Sequence, residues 1–226
     1  PGALPFGSSA DRFLAETRAT GGEPILTVPL IGWTPKARQK DWGFSVAQYG
    51  AQTETECTAT GGAFWCEPDA GNGVRPGGAF VTGNDPLDTS IAIGPPFVTA
   101  WMDHLAAQFG TAGAGGIRWY ALDNEPALWN STHRDVHPEP LTFDELWTRT
   151  RDHAAAIKAK DPAAVVFGPV SWGWCEYFYS AADDCSPGGA DFIAHGSVPL
   201  TQWYLRQVKA HEIANGVRLV DVLDVH

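Results

Sequence analysis

The sequence predicts an α/β fold built on a parallel sheet. Four short apolar runs, at residues 25–31, 117–122, 163–168 and 220–225, alternate with segments that carry helix start and stop residues. Such alternation is typical of parallel strands joined by crossover helices. Each run ends in polar or aromatic residues. Because α/β barrels place their chemistry at the carboxyl ends of their strands, those ends are the first place to look for function.

The helices are predicted from the caps, prolines and glycines at their ends. The predicted helices span approximately residues 8–20, 95–109, 142–160 and 199–215. In the second helix, one face is predicted to carry Phe97, Trp101, Leu105 and Phe109. Thr142 and Glu145 have the spacing of a capping box, which makes the start of the third helix the clearest local pattern in the chain.

Residues 34–94 form a long excursion rich in Gly, Thr, Asp and Pro. Loops of this length inside a domain are usually functional or held by a cross-link. Hard oxygen ligands at Asp85 and Asp88 suit a structural Ca²⁺. Asx turns explain the same residues without any metal, so both interpretations stay open.

The four cysteines form two local pairs, Cys57 with Cys66 and Cys175 with Cys185. Each pair brackets a loop rich in small and polar residues. The four cysteines do not have the spacing of metal ligands. Two disulfides are therefore predicted, each stabilising its loop by about 2–4 kcal/mol in an oxidising compartment. Without a signal peptide or an 18-residue apolar span, the sequence is expected to be mature, secreted, extracellular material.

The central motif is the run Asp123-Asn124-Glu125-Pro126, which directly follows the apolar run 117–122. A carboxylic acid at the end of a buried parallel strand suits a general acid/base, so Glu125 is the candidate catalytic residue. The alternative is an ordinary solvated loop. The aromatic and His-rich segment that follows, beginning with Trp129, favours the functional interpretation.

Composition narrows the class of ligand. The net charge of −11 argues against nucleic acid and against an anionic membrane as partners. Ten Trp residues suggest flat apolar surfaces that meet a flat ligand such as a sugar ring, although some must belong to the core. Trp33, at the end of the first strand, is either such a platform or a packing residue at the rim.

Four strands do not close a barrel, which needs eight. The chain is therefore either a small open sheet or part of a (β/α)₈ TIM barrel whose other strands lie elsewhere. A buried parallel strand at 220–225 would otherwise have an uncovered edge and faces, which favours the partial barrel. Residues 1–226 are then predicted to be part of one catalytic barrel domain.

Five stretches together resemble glycoside hydrolases of family 44. They are EPILTVPLIGW at 23–33, DAGNG at 69–73, LDNEPALW at 122–129, GPVSWG at 168–173 and VLDVH at 222–226. The resemblance implies an endoglucanase or xyloglucanase with a (β/α)₈ catalytic barrel and an attached β-domain. It makes the four predicted strands the third to the sixth of that barrel.

The resemblance also implies roles for single residues. Glu125 matches the general acid/base, and Asn124 matches the residue that binds the 2-hydroxyl of the sugar beside the scissile bond. The nucleophilic Glu of the family follows the seventh strand, beyond His226. Glu176 is not expected to replace it, because Glu176 lies in a long loop closed by a disulfide. The resemblance implies no catalytic cofactor. It implies a structural calcium near the rim of the barrel, for which Asp85 and Asp88 are the candidate ligands.

The predicted function is that of a retaining endo-β-1,4-glucanase, with this chain supplying the acid/base and part of the groove. The predicted partners are a β-glucan, such as cellulose or xyloglucan, and the remaining polypeptide of the barrel. The residues predicted to line the groove are Trp33, Asn124, Trp129, Trp172, Trp174 and His226. Two alternatives stay open: a non-catalytic polysaccharide-binding fragment that lacks the nucleophile, and an interaction domain whose Trp residues all lie in the core.

Overall fold

A computed structural model describes residues 8–37 and 41–226, and it has the predicted α/β architecture. Its strands are β1 Ile25–Val28, β2 Trp33–Pro35, β3 Ser90–Ala92, β4 Trp119–Leu122, β5 Val165–Ser171 and β6 Val222–Val225. Its α-helices are α1 Ser9–Ala19, α2 Val46–Tyr49, α3 Glu56–Ala59, α4 Pro95–Phe109, α5 Trp129–Thr132, α6 Phe143–Lys160, α7 Ala190–Ala194 and α8 Leu200–Asn215. Short 3₁₀ helices lie at Pro86–Asp88, Ala112–Ala114, Pro126–Leu128 and Ala181–Asp183. Among the described helices, none is long and apolar enough to cross a membrane.

The chain divides into two compact units. Unit 1 comprises the chain up to Ile31 together with Gly94–Trp129 and Pro140–His226. Unit 2 comprises Gly32–Ile93 and Asn130–Glu139, so its larger part coincides with the excursion predicted at 34–94. Unit 2 contains the antiparallel pair β2–β3 and the short helices α2 and α3.

Unit 1 contains a four-stranded parallel sheet in the order β1-β4-β5-β6. Neighbouring strands in the sheet are thus also successive strands of the unit, with α6 between β4 and β5 and α8 between β5 and β6. This order and direction confirm the prediction of parallel strands with crossover helices. Parallel strands bring all four carboxyl ends to one edge of the sheet.

The helix ends follow the predicted chemistry. The Ser8 side chain accepts a hydrogen bond from the amide of Asp11 at the start of α1. In α6 the Thr142 side chain accepts one from the amide of Glu145 at 3.2 Å, which is one half of the predicted capping box, and Glu145 Oε1 accepts a hydrogen bond from Arg149 Nε. Gly216 closes α8 in the left-handed conformation, with φ of 70°. Caps are local interactions, and for this reason the sequence alone located these helix ends.

The buried face of α4 and the length of β5 differ from what the sequence pattern suggests. The core face of α4 consists of Val98, Met102 and Leu105, whereas Phe97 is 41% exposed. This helix is apolar around most of its circumference, so two adjacent faces compete and periodicity alone does not choose between them. Strand β5 continues to Ser171 rather than stopping at 168, with an irregular register between Pro169 and Ser171. Proline lacks an amide donor and is rare inside strands, but it is tolerated at such irregularities.

Gly116, in the turn before β4, should be irreplaceable. A Cβ atom at this position would overlap the carbonyl group of Gly110, which is backbone and cannot rotate away. We expect Gly116→Ala to lower the free energy of unfolding by about 3 kcal/mol, at the upper end of overpacking penalties. Urea denaturation of the chain measures this difference.

Gly113 in the same turn supplies the matched control. A Cβ atom there would meet only Ala163 Cβ, at an ordinary 3.6 Å. Gly113→Ala should therefore change the stability by no more than about 1 kcal/mol. Equal urea midpoints for the two variants would contradict the proposed steric role of Gly116.

Candidate active site

The carboxyl ends of β4 and β6 bring Glu125 and His226 together. Glu125 follows β4 by three residues, and His226 directly follows β6. Glu125 Oε1 lies 2.9 Å from His226 Nδ1, and both side chains are partly exposed. The His226 amide donates to Ser171 O at 3.0 Å, and the Tyr177 hydroxyl donates to the His226 carbonyl. The imidazole therefore has a defined position beside the Glu125 carboxylate.

The backbone at these strand ends is strained. Asp123, Glu125 and Val170 have φ values of 65°, 47° and 58°, in the left-handed region that β-branched residues such as valine rarely enter. The Glu125 amide donates to Val170 O at 2.9 Å, which joins two of these residues across neighbouring strands. Strain of this kind persists only where the surrounding structure holds it, and it clusters at active sites.

Asp123 fixes the turn that carries Glu125. Its Oδ2 accepts hydrogen bonds from the amides of Leu30 and Ile31, at 2.6 and 2.9 Å, while its Oδ1 accepts one from the Asn124 amide at 2.9 Å. One carboxylate thus joins the segment after β1 to the segment after β4. In the sequence, the only indication of this role of Asp123 was its position near Glu125 in the central motif.

Glu176 is a buried acid, which the sequence analysis did not predict. Its side chain is 1% exposed, its Oε2 accepts the Trp172 amide at 2.6 Å, and its Oε1 makes no hydrogen bond of normal geometry. Burial raises the pKa of Glu176 to about 7, opposed by the Trp172 amide and reinforced by the negative charge of Glu125. Glu176 therefore belongs electrostatically to the same cluster as Glu125 and His226. The disulfide-closed loop that carries Glu176 does not hold it apart from these two residues.

The predicted tryptophan platforms differ in accessibility. Trp172 and Trp174, beyond the end of β5, are 46% and 75% exposed, and Asn124 is also exposed. Trp129 is only 1% exposed, and the Arg149 guanidinium lies 5.5 Å from the centroid of its ring. A buried indole has no face to offer a sugar, so the structure does not support Trp129 as a platform. Trp33 begins β2 in unit 2, and its stacking role stays a prediction.

Both predicted disulfides are present, Cys57–Cys66 in unit 2 and Cys175–Cys185 in unit 1. The second begins one residue before Glu176. It closes the loop that follows Trp174 and thereby restricts the segment in which Glu176 lies.

The suggested calcium site at Asp85 and Asp88 does not fit the structure. Asp85 Oδ1 accepts the Leu87 amide as a helix cap, and Asp88 Oδ2 accepts hydrogen bonds from Gln48 Nε2 and the Tyr49 hydroxyl. Both carboxylates are therefore engaged by protein donors, and the bond of Asp85 to the Leu87 amide has the pattern of an Asx turn. Across residues 8–37 and 41–226, no group of three or more His, Cys, Asp or Glu side chains could hold a metal ion.

A parallel sheet with helical crossovers has an acid and aromatic side chains at its carboxyl edge, which is where TIM-barrel enzymes carry their catalytic residues. The model of the family described as Glycoside hydrolase family 44 matches residues 3–226. The chain therefore belongs to glycoside hydrolase family 44.

Solved structures of related proteins agree with this assignment. CelM2, a bifunctional glucanase-xylanase from a metagenome library, is 41% identical with a TM-score of 0.88, over 97% of this chain and 43% of that one. A Paenibacillus polymyxa xyloglucanase of family 44, solved with xyloglucan, is 26% identical with a TM-score of 0.65, over 97% and 38%.

Two curated relatives are similar over shorter stretches. Endoglucanase A of Paenibacillus lautus is 40% identical over 134 residues, which is 59% of this chain and 19% of the relative. Beta-mannanase/endoglucanase A of Caldicellulosiruptor saccharolyticus is 38% identical over 131 residues, or 58% and 10%. The chain thus spans a fifth or less of these curated relatives.

Proposed function

We propose that this chain supplies the general acid/base and part of the substrate groove of a retaining endo-β-1,4-glucanase. The observation that carries the proposal is the contact of Glu125 with His226 at the carboxyl edge of the sheet. The names of the relatives, which include endoglucanase, glucanase-xylanase and xyloglucanase, support a β-glucan or a related β-linked polysaccharide as the substrate.

In the proposed mechanism Glu125 acts first as a general acid and then as a general base. It first donates a proton to the glycosidic oxygen while a second carboxylate attacks the anomeric carbon. It then removes a proton from the water that hydrolyses the glycosyl-enzyme. His226 Nδ1 holds one oxygen of Glu125, which leaves the other oxygen to face the substrate. These steps use only carboxyl groups and water, so the chemistry requires no cofactor.

The second carboxylate is proposed to come from the remaining polypeptide of the barrel. Retaining glycosidases need their two carboxyl groups about 5–5.5 Å apart, with the nucleophile open to the sugar. Glu176 does not meet the second condition, because it is 1% exposed and its Oε2 is bound to the Trp172 amide. Its proposed role is to hold the segment that carries Trp172.

The proposed groove follows the strand ends. Trp172 and Trp174 offer exposed indole rings for stacking on successive glucose units, and Asn124 lies exposed beside Glu125, where it would bind the 2-hydroxyl. Trp33 is proposed as a further platform. The two disulfides support secretion as the proposed location, since such bonds persist in oxidising compartments.

The stereochemistry of hydrolysis tests this proposal. The complete barrel, meaning these residues together with the remaining strands, should release the β-anomer first from a cello-oligosaccharide, because two inversions at the anomeric carbon give net retention. Proton NMR during the first minutes measures the anomer. Initial release of the α-anomer would contradict the retaining mechanism. Binding of glucan without any new reducing ends would favour a non-catalytic binding function, which the exposed Trp172 and Trp174 would also serve.

A further inference from the structure

Unit 2 contains a cavity that has no part in the proposed chemistry of Glu125. Its volume is about 870 Å³, and residues from 72–86 and 130–139 form its wall. This volume falls within the range of about 300–1,000 Å³ that is usual for small-molecule sites. The side chains that determine its chemistry are Asn72, Phe80, Asn84, Asn130, Asp135 and Glu139.

A clamped arginine fixes one wall of the cavity. The Arg134 guanidinium lies 4.2 Å from the centroid of the Phe80 ring and 4.6 Å from that of Phe44. It also donates hydrogen bonds to the carbonyl oxygens of Val81 and Gly73, at 3.1 and 2.8 Å. These contacts engage the cation, so Arg134 serves to hold the two rings rather than to attract an anion.

Phe80 is the unusual feature of this wall. It is 60% exposed although it is a large aromatic side chain held by a cation. An exposed ring is costly in water, and one that is pre-positioned on a cavity wall offers a flat surface to a ligand. The same wall contains Val74 and Pro86, which extend the apolar area beside the ring.

The polar groups of the cavity select the class of ligand. Asp135 and Glu139 contribute negative charge, which disfavours phosphorylated and other anionic ligands. Asn84 and Asn130 contribute amide groups, which both donate and accept hydrogen bonds, whereas the Asn72 amide is already engaged by Thr53 and by the Val74 amide. The Asn84 amide is held in place by its hydrogen bond to Asp135 O at 2.7 Å. A flat apolar surface beside neutral amides matches a sugar ring, which has an apolar face and hydroxyl groups around its edge.

We propose that this cavity is a second carbohydrate site, which binds a short neutral β-linked oligosaccharide by stacking one sugar ring on Phe80. The choice of a β-glucan as ligand rests on the proposed function. The cavity lies wholly within unit 2 and needs neither Glu125 nor a second carboxylate to bind its ligand.

The experiment is a titration of the chain with cellotetraose, followed by calorimetry and by amide chemical shifts. We expect shifts concentrated in residues 72–86 and 130–139. For Phe80→Ala we expect binding that is weaker by about 2- to 13-fold, since a stacked ring contributes about 0.5–1.5 kcal/mol. Phe64→Ala is the matched control, because Phe64 is a fully exposed phenylalanine of the same unit outside the cavity. Its affinity should equal that of the wild type.

Several outcomes would overturn the proposal. Cellotetraose binding that is lost in Trp174→Ala but kept in Phe80→Ala would assign all binding to the groove beside Glu125. Tight binding of trigalacturonate, an anionic sugar, would contradict the charge argument, and an absence of cellotetraose binding would refute the site outright. The shift map of the wild type tests the site even if Phe80→Ala does not fold. A failure of the proposed function would instead show as unchanged hydrolysis by Glu125→Gln, which leaves the Phe80 result untouched.

Discussion

Replacing Glu125 with Gln in the complete barrel should lower the turnover of a β-1,4-glucan by about 10²- to 10⁴-fold, the usual contribution of a general acid/base. Glutamine keeps the size of the side chain and can still contact His226 Nδ1, but it has no proton to donate to the leaving oxygen. Binding of the glucan should survive, because the exposed Trp172 and Trp174 are unchanged.

Aryl β-cellobiosides make this test sharper. An aryl leaving group of low pKa departs without protonation, so the deficit of Glu125→Gln in the first chemical step should shrink as the leaving-group pKa falls. A deficit that is constant across the series would mean that Glu125 is not the acid. Glu23→Gln is the matched control, because Glu23 is an exposed glutamate just before the amino end of β1. It should hydrolyse the whole series at the wild-type rate.

The sequence predicted those parts of the fold that local interactions determine. The strands are short apolar runs, and the helices begin and end at residues such as Thr142 and Gly216 whose capping is local. The position of Glu125 followed from the abrupt end of an apolar run in polar residues. Its contact with His226 joins residues a hundred positions apart, and only the parallel order of the sheet brings them together.

The parts that were missed depend on tertiary burial. Nothing in the sequence distinguishes Trp129, which packs in the core, from Trp172 and Trp174, which remain exposed. Glu176 was set aside because its loop is long and closed by a disulfide, yet that disulfide starts at the preceding residue and restricts the backbone beside it. A glutamate four residues after Trp172, within an aromatic segment, was the available indication of a buried acid.

Burial of Glu176 should make the free energy of unfolding depend on pH. Burial raises the pKa of Glu176 from the ordinary 4.5 to about 7. Below about pH 4.5 the side chain is protonated in both the folded and the unfolded chain, so its burial carries no ionisation cost. Between about pH 4.5 and 7 the unfolded chain releases this proton while the folded chain retains it, and the free energy of unfolding therefore falls as the pH rises. At 1.36 kcal/mol per pKa unit, the loss reaches about 3 kcal/mol above pH 7.

Glu176→Gln should remove this loss, because an amide stays neutral at every pH and its carbonyl oxygen can still accept the Trp172 amide. Urea denaturation of the chain between pH 4.5 and 8.5 should show a flatter dependence for the variant and, at pH 8, a stability up to about 3 kcal/mol above the wild type. Glu23→Gln, which removes a half-exposed carboxylate, should instead follow the wild-type curve. If wild type and Glu176→Gln gave parallel curves, Glu176 would have to be ionised throughout this range.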